Sequence, residues 1–376
     1  MRLVVLGAGY ASLAFLKSLS AVVRSSCQII LISESPLHYF SVLLHEVVAG
    51  MQGNYALALN QILPSEVQFI QDRVLEIQEK SVLGAQGAYD YDYLVVGLGF
   101  ASESFGVAGV QEHAHSLVNF ASAQASHQAL LQAILDFKQT RPFSVVVCGG
   151  GFSGIELVGA LSDTLGHLCA PKNYELTCIE AMPAILPMFA PQLAQKGVDY
   201  LQKRGVQLVL GAKILACQSD RVQVEQGGVH QDILADFLFW TCGVRGSEVV
   251  EHSKFLKSVR ARVEVNAFLE PAEMPGRGIF VLGDCAALKD QEGKFYPPSA
   301  QLASQMGRYL GQEFSQISAH KPPKKPFAFT PKGVICSLGA HFAIGHLGRF
   351  NLAGKGAVWL KKYIEWRWKK SLTSTR

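Results

Sequence analysis

The sequence predicts an α/β fold built on two doubly wound βαβ units. Three observations point there. Two strand–glycine-turn–helix–strand starts, each about 30 residues long, recur about 140 residues apart. A further apolar strand, Gly278–Leu282, ends in Gly283-Asp284. Of the 376 residues, 49% are hydrophobic and only 17% charged, with 35 glycines, so the chain has material for two or three packed cores and is too apolar for disorder.

The first unit opens with a buried strand at Arg2–Leu6, so no secretory leader is expected. A helix is expected over Ser12–Val23 and a second strand over Cys27–Ser33. Between them, Gly7-Ala-Gly-Tyr-Ala-Ser12 reads G-x-G-x-x-S. Gly7 allows the tight turn, and Gly9 lets the backbone approach a pyrophosphate seated on the helix N-terminus. Ser12 stands where Gly or Ala is usual, and is small enough for helix–strand contact. Glu34 ends the second strand, where an acid accepts a hydrogen bond from a ribose 2′-OH. A glycine pattern alone is weak. Strand, glycines, helix, strand and terminal acid together read as a dinucleotide site.

The second unit runs through a strand at Phe143–Cys148, a helix over Gly154–Leu165 and a strand at Glu175–Glu180. Gly149, Gly151 and Gly154 complete G-x-G-x-x-G. Glu180 at the strand end favours the free 2′-OH of NADH over the 2′-phosphate of NADPH. Glu156 falls in the expected first helical turn, where the macrodipole welcomes an acid; the alternative is that it points toward the nicotinamide or flavin edge. Two dinucleotide sites in one chain suggest electron transfer between two cofactors. Asp284, at the end of its strand, is placed to hydrogen-bond a ribitol hydroxyl.

The eight cysteines are never closer than nine residues apart, so neither a zinc knuckle nor a local disulfide is supported, and reduced, mostly buried thiols are expected. No metal site is expected. No uninterrupted apolar run is long enough to span a bilayer. Charge is uneven. Residues 320–376 hold 12 Lys/Arg against Glu365 alone, and three of the four tryptophans, Trp359, Trp366 and Trp368; the rest of the chain is net acidic. A basic, Trp-rich end on an acidic body suggests an anionic partner for that end.

These features resemble the two-dinucleotide-fold flavoproteins, and within them the type II NADH dehydrogenases, single-chain NADH:quinone oxidoreductases. The resemblance rests on His38-Tyr-Phe-Ser-Val-Leu-Leu-His-Glu-Val-Val-Ala-Gly50, Gly151–Leu161, Glu180–Phe189, Trp240-Thr-Cys-Gly-Val-Arg-Gly-Ser247 and Ala300-Gln-Leu-Ala-Ser-Gln305. It covers nearly the whole chain. It implies two Rossmann-like domains with the NAD domain inserted in the FAD domain: residues 1–112 and 261–319 for FAD, 113–260 for NAD. A C-terminal hairpin and a small membrane-associating segment would fill 320–376. It further implies noncovalent FAD, NAD(H), and cofactor contacts at Val74, Gly99 and Gly243. The family's Ala-Thr-Gly before the crossover is here Gly97-Leu-Gly99. Short loops around residues 81–88 and 226–231 suggest a compact member without an inserted calcium-binding domain.

Gln301 and Gln305 match the family's A-Q-x-A-x-Q motif on the quinone side of the flavin. At i, i+4 they share a helix face, with Ala300 and Ala303 leaving room for a flat ring. Their neutral amides suit a quinone carbonyl; the alternative is a helix face with two exposed glutamines. His341 in the hairpin is either a proton donor to reduced quinone or a rim residue. Residues 355–370 form a helix whose Trp359, Leu360, Tyr363, Ile364, Trp366 and Trp368 fall on one arc, with Lys361, Lys362, Glu365 and Lys369 opposite. That is the pattern of an interfacial membrane helix. Deleting residues 354–376 would then release the protein from the membrane and leave FAD in place. The alternative is docking on its own domain or on a second copy in a homodimer. Nucleic acid is disfavoured, since no binding fold accompanies the basic stretch. The expected setting is peripheral, on the cytoplasmic face of a membrane, with a membrane quinone as acceptor. Two other readings remain: a sulfide:quinone oxidoreductase, which needs cysteines converging at the flavin (Cys336, Cys148 and Cys169 being candidates), and a flavin-binding redox regulatory protein.

Overall fold

The computed structural model describes residues 1–374. Two all-parallel sheets carry the fold. The first orders its strands Ile279–Val281, Tyr93–Val96, Arg2–Leu6, Gln28–Ser33 and Val67–Gln71. The second orders Val206–Leu210, Tyr174–Glu180, Phe143–Cys148 and Phe237–Trp240. Their inner strands are buried on both faces, with Phe143–Cys148 wholly so, which is why they read as unbroken apolar runs. The chain leaves the first sheet after Tyr93–Val96, builds the second, and returns at Ile279–Val281. The antiparallel pair Phe100–Ser102 and Val244–Gly246 marks the outward and return crossings.

The expected first helix is in fact two, Tyr10–Ser18 and Ala21–Ser26. Leu19 turns extended, and the Ser20 hydroxyl accepts the Val23 N–H to start the second. Tyr10–Ser18 packs against the long helix Ala300–Ile317. Gly307 and Gly311 permit this closeness, since a Cβ there would lie 2.1 Å from the Ala11 carbonyl and 2.6 Å from that of Phe15.

That long helix also holds the Pro-rich strap at residues 320–333. Gln301 accepts the Lys332 N–H (2.7 Å) and donates to the Gly333 carbonyl (3.1 Å). Gln305 brackets Thr330 in the same way, at 3.1 and 2.9 Å. Tyr309 donates to the Lys325 carbonyl, and Glu313 accepts the Lys324 N–H. The four tethers stand at i+4 intervals on one face. Both glutamine amides are engaged by strap backbone, each through its oxygen and one N–H.

After a three-stranded antiparallel hairpin unit, the chain ends in the helix Lys355–Thr373. It is not a free interfacial helix. Ala357 and Leu372 are fully buried, Trp368 stacks on Tyr10, and Lys361 points inward. The Lys361 ammonium reaches the Glu156 carboxylate and donates to the Ser337 hydroxyl at 2.8 Å. Placing Lys361 on the solvated face and Trp368 on the lipid arc is thus corrected: the helix docks one face on the protein. Trp359, Tyr363, Ile364 and Trp366 stay on the other face, Trp359 being 68% exposed. Among the described residues no helix is long and apolar enough to cross a membrane.

Removing one partner of a buried ion pair leaves the other charge uncompensated, at about 3–5 kcal/mol. Lys361→Met is accordingly expected to lower the urea midpoint of unfolding markedly. Adding Glu156→Gln should restore part of the loss. A Lys361→Met protein as stable as the parent would show that the pair does not hold the helix.

Candidate cofactor and substrate site

The first glycine loop is shaped by contacts that exclude a side chain. Gly7 has φ +81°, and a Cβ on it would lie 2.4 Å from the Gly97 carbonyl oxygen. A Cβ on Gly97 would in turn meet the Ser12 hydroxyl at 2.3 Å. Two of the departures from the family pattern, Ser12 and Gly97, therefore compensate each other: the larger residue on the helix fills space vacated on the facing strand end. Ser12 is buried and its hydroxyl donates to the Leu6 carbonyl at 3.4 Å. Gly9 caps the helix Tyr10–Ser18, and no side chain bonds to its first N–H groups. They remain free for an anion.

This loop lines a cleft of about 1250 Å³, above the usual range for one small ligand. Glu34, Val74, Gly99, Asp284 and Ala300 line it as well. Glu34 is exposed, and its carboxylate has no hydrogen-bond partner among the described residues. Asp284 sits in the short turn Gly283–Cys285. Burial pushes its carboxyl up to about 6, against the pull of Arg262. Arg262 Nε is buried without a partner, while its Nη2 donates to the Ala286 carbonyl. Free helical N–H groups and two unpaired carboxyls on the cleft wall fit a flavin dinucleotide: phosphate, ribose and ribitol each find a group of the right polarity.

The second loop lies outside that cleft. Gly149 has φ +111°, and a Cβ on Gly154 would fall 1.8 Å from the Gly149 carbonyl oxygen. Gly151 caps the helix Phe152–Leu168, again without a side-chain cap. Glu180 accepts N–H bonds from Gly150 (2.6 Å) and Met182 (2.8 Å), which hold its carboxylate beside the loop. Gly243 lies under the Phe105 ring, 2.7 Å from where its Cβ would be. Trp240 lines the cleft and donates its indole N–H to the Glu103 carbonyl.

Glu156 departs from both readings of it. The helix begins at Phe152, so Glu156 lies beyond the first turn, where the macrodipole has faded. It does not line the cleft. Instead it is buried, accepts from the Ser337 N–H and hydroxyl (both 3.1 Å), and pairs with Lys361. Burial alone would raise its carboxyl, but the Lys361 ammonium holds it below the usual carboxylate range. His45 Nδ1 is 3.6 Å away, and burial keeps that imidazole neutral, down at about 4. His341 is exposed on the hairpin. No cysteine lines the cleft. All eight are free thiols, and Cys148, Cys169 and Cys336 are buried, with burial raising each thiol.

Sequence reasoning missed His45, Arg262, Tyr309 and Glu313. The last two carried a usable signal, since they continue the i+4 row begun by Gln301 and Gln305. His45 and Arg262 carried none, because their roles depend on contacts distant in sequence.

The pattern of the pyridine nucleotide-disulphide oxidoreductase family matches residues 1–307. The Staphylococcus aureus (strain NCTC 8325 / PS 47) protein named type II NADH:quinone oxidoreductase is 34% identical, covering 97% of this chain and 94% of that one. Among solved structures, NDH2 from Plasmodium falciparum in complex with NADH superposes with a TM-score of 0.89 at 16% identity, over 99% of this chain and 96% of that one. The sulfide:quinone oxidoreductase of Aquifex aeolicus gives 0.80 at 20% identity, over 99% and 91%. At such identities the two structures attest the fold alone. The Staphylococcus likeness, spanning nearly all of both chains, makes this protein a member of the type II NADH:quinone oxidoreductase family, within the pyridine nucleotide-disulphide oxidoreductases.

Proposed function

We propose that the protein oxidises NADH and reduces a membrane quinone, with FAD in the large cleft and NADH at the second glycine loop. Overall, NADH, a proton and a quinone become NAD⁺ and a quinol. The carrying observation is the pair of uncapped helix N-termini, each facing a strand-terminal acid, with Asp284 on the wall of the larger site. A flavin held there would supply the redox chemistry, hydride acceptance from nicotinamide and two-electron donation to the quinone. The chain binds and orients. Gly7 and Gly9 admit the pyrophosphate, Glu34 accepts from a ribose hydroxyl, and Asp284 meets the ribitol. Val74 and Gly99 give the cofactor its walls, and Gly243 leaves room at the crossover. Gly149, Gly151, Gly154 and Glu180 do the same for NADH. Ala300 and Ala303 leave a flat approach for the quinone ring. Gln301 and Gln305 serve that end indirectly, by fixing the strap, and Glu156 does so by holding the terminal helix.

Purified protein is expected to turn over with NADH and a short-chain quinone, and not with sulfide as donor. Sulfide-dependent quinone reduction would favour the sulfide:quinone oxidoreductase reading, which the absence of cysteine from the cleft walls opposes. Bound flavin without turnover by either donor would favour a regulatory protein.

The donor preference follows from Glu180. Its two backbone bonds aim a carboxylate at the site of a ribose 2′-substituent, where a phosphate would meet like charge. NADH should exceed NADPH in kcat/KM by roughly 10- to 1000-fold. Glu180→Gln should narrow that ratio. Equal use of both donors by the parent protein would move the selectivity elsewhere.

The membrane reading now rests on the outer face of the terminal helix and the hairpin tip. Phe350, Trp359, Tyr363, Ile364 and Trp366 are exposed together with Lys362, Arg367 and Lys370. Buried aromatics and attraction of cations to anionic lipid would hold this face at the cytoplasmic surface of a membrane. Replacing Trp359, Tyr363 and Trp366 with Ala should cut co-sedimentation with anionic vesicles about tenfold or more, while leaving FAD bound. High salt should remove only the part due to Lys and Arg. Unchanged vesicle binding, with a dimer turned monomer, would assign the face to a homodimer instead.

A further inference from the structure

The terminal helix reaches the first phosphate loop through a two-bond chain of side chains. Trp368 Nε1 lies 3.1 Å from His38 Nε2, and His38 Nδ1 lies 2.9 Å from the Ala8 carbonyl oxygen. The partners fix the tautomer. A carbonyl only accepts, so Nδ1 carries the proton, and an indole N–H only donates, so Nε2 is bare. His38 is buried at 1% exposure, between Tyr10, Phe40 and Trp368. Burial holds it neutral, down at about 4, as both bonds require.

Ala8 stands between Gly7 and Gly9, the two residues that leave this loop the most backbone freedom. In a trans peptide the C=O of Ala8 and the N–H of Gly9 point in opposite directions across one plane. Holding the Ala8 oxygen toward His38 therefore sends the Gly9 N–H the other way. Ala8, Gly9 and Tyr10 all line the cleft, and the helix that Gly9 caps has no side chain on its first amides. Tyr10, the next residue, is stacked on the same Trp368 at 4.9 Å and 28°. Leu372, fully buried one turn further on, anchors the helix in this place, and Lys369 donates to the Asn54 carbonyl beside it.

We infer that Trp368, acting through His38, is a positioning residue for the flavin pyrophosphate: it orients the Ala8–Gly9 peptide so that the loop receives the anion. This rests on the flavin reading above. It also revises the expectation that deleting residues 354–376 leaves FAD in place. The deletion removes the donor to His38 and the ring on Tyr10 together, so flavin retention should fall with it.

The test is FAD release from the full-length holoprotein, read as free-flavin fluorescence after dilution. Trp368→Phe keeps a smaller ring against Tyr10 and removes the N–H; the comparison in a His38 variant background separates the two losses. The substitution should speed release about tenfold, the scale of one buried hydrogen bond left unmade, with little change in the apoprotein's thermal midpoint. In a His38→Leu background, or His38→Asn should the leucine variant not fold, adding Trp368→Phe should change release by no more than about twofold, since the chain of bonds is already broken. Release from Trp368→Phe at the parent rate overturns the inference. So do independent, additive effects of the two substitutions, which would mean that Trp368 acts by packing alone. A parent protein that carries no FAD would refute the cofactor assignment itself rather than this relay.

Discussion

A carboxylate taken out of water must be given a counter-charge and donors, or the fold that buries it pays several kcal/mol. Glu156 imposes that condition on the whole molecule. It sits on the helix that follows the second glycine loop, and its hydrogen-bond and charge partners come from two other places: Ser337 from the hairpin and Lys361 from the terminal helix. Satisfying one carboxylate therefore ties the C-terminal segment to the second nucleotide-binding unit.

Much of the site was legible because its signals are local. A glycine turn between a strand and a helix needs only a dozen neighbouring residues, and both loops, both terminal acids and Asp284 lie where the spacing places them. The two-sheet architecture follows from the same evidence, since strands buried on both faces cannot alternate in polarity. Less legible was anything decided by partners far away in the chain. Helical periodicity sorts residues into faces but says nothing about which face meets protein. Lys361 and Trp368 were assigned to water and lipid on periodicity, and both turned inward, one to a buried acid and the other to a buried imidazole. Gln301 and Gln305 were rightly grouped on one face, but what that face meets is the backbone of the strap. Glu156 lies two residues further into its helix than the spacing places it, because the helix starts at Phe152 and not at Gly154.

The departures from the family pattern are also informative when taken as a pair. Ser12 and Gly97 each look like a weakened cofactor loop in isolation. In the structure they are two halves of one contact, and the tight approach between the first helix and the end of the strand Tyr93–Val96 survives. A change of either alone would not be neutral, since an alanine at 97 needs a smaller residue at 12. The same logic governs Gly307 and Gly311, whose missing side chains let the long helix lie close enough for Ala300 and Ala303 to form part of the cleft wall.

The strap tethers carry one more consequence, for how the chain can vary in length. Gln301, Gln305, Tyr309 and Glu313 form a row only because each step of four residues nearly completes a turn. One residue inserted between Gln305 and Tyr309 would rotate the later pair by about 100° and carry them off the strap. The helix is in this sense a ruler, and its length is fixed by a segment that has no regular structure of its own. Variation in length is better tolerated at the hairpin turn near Gly348, where the chain meets solvent and no row of tethers counts the residues.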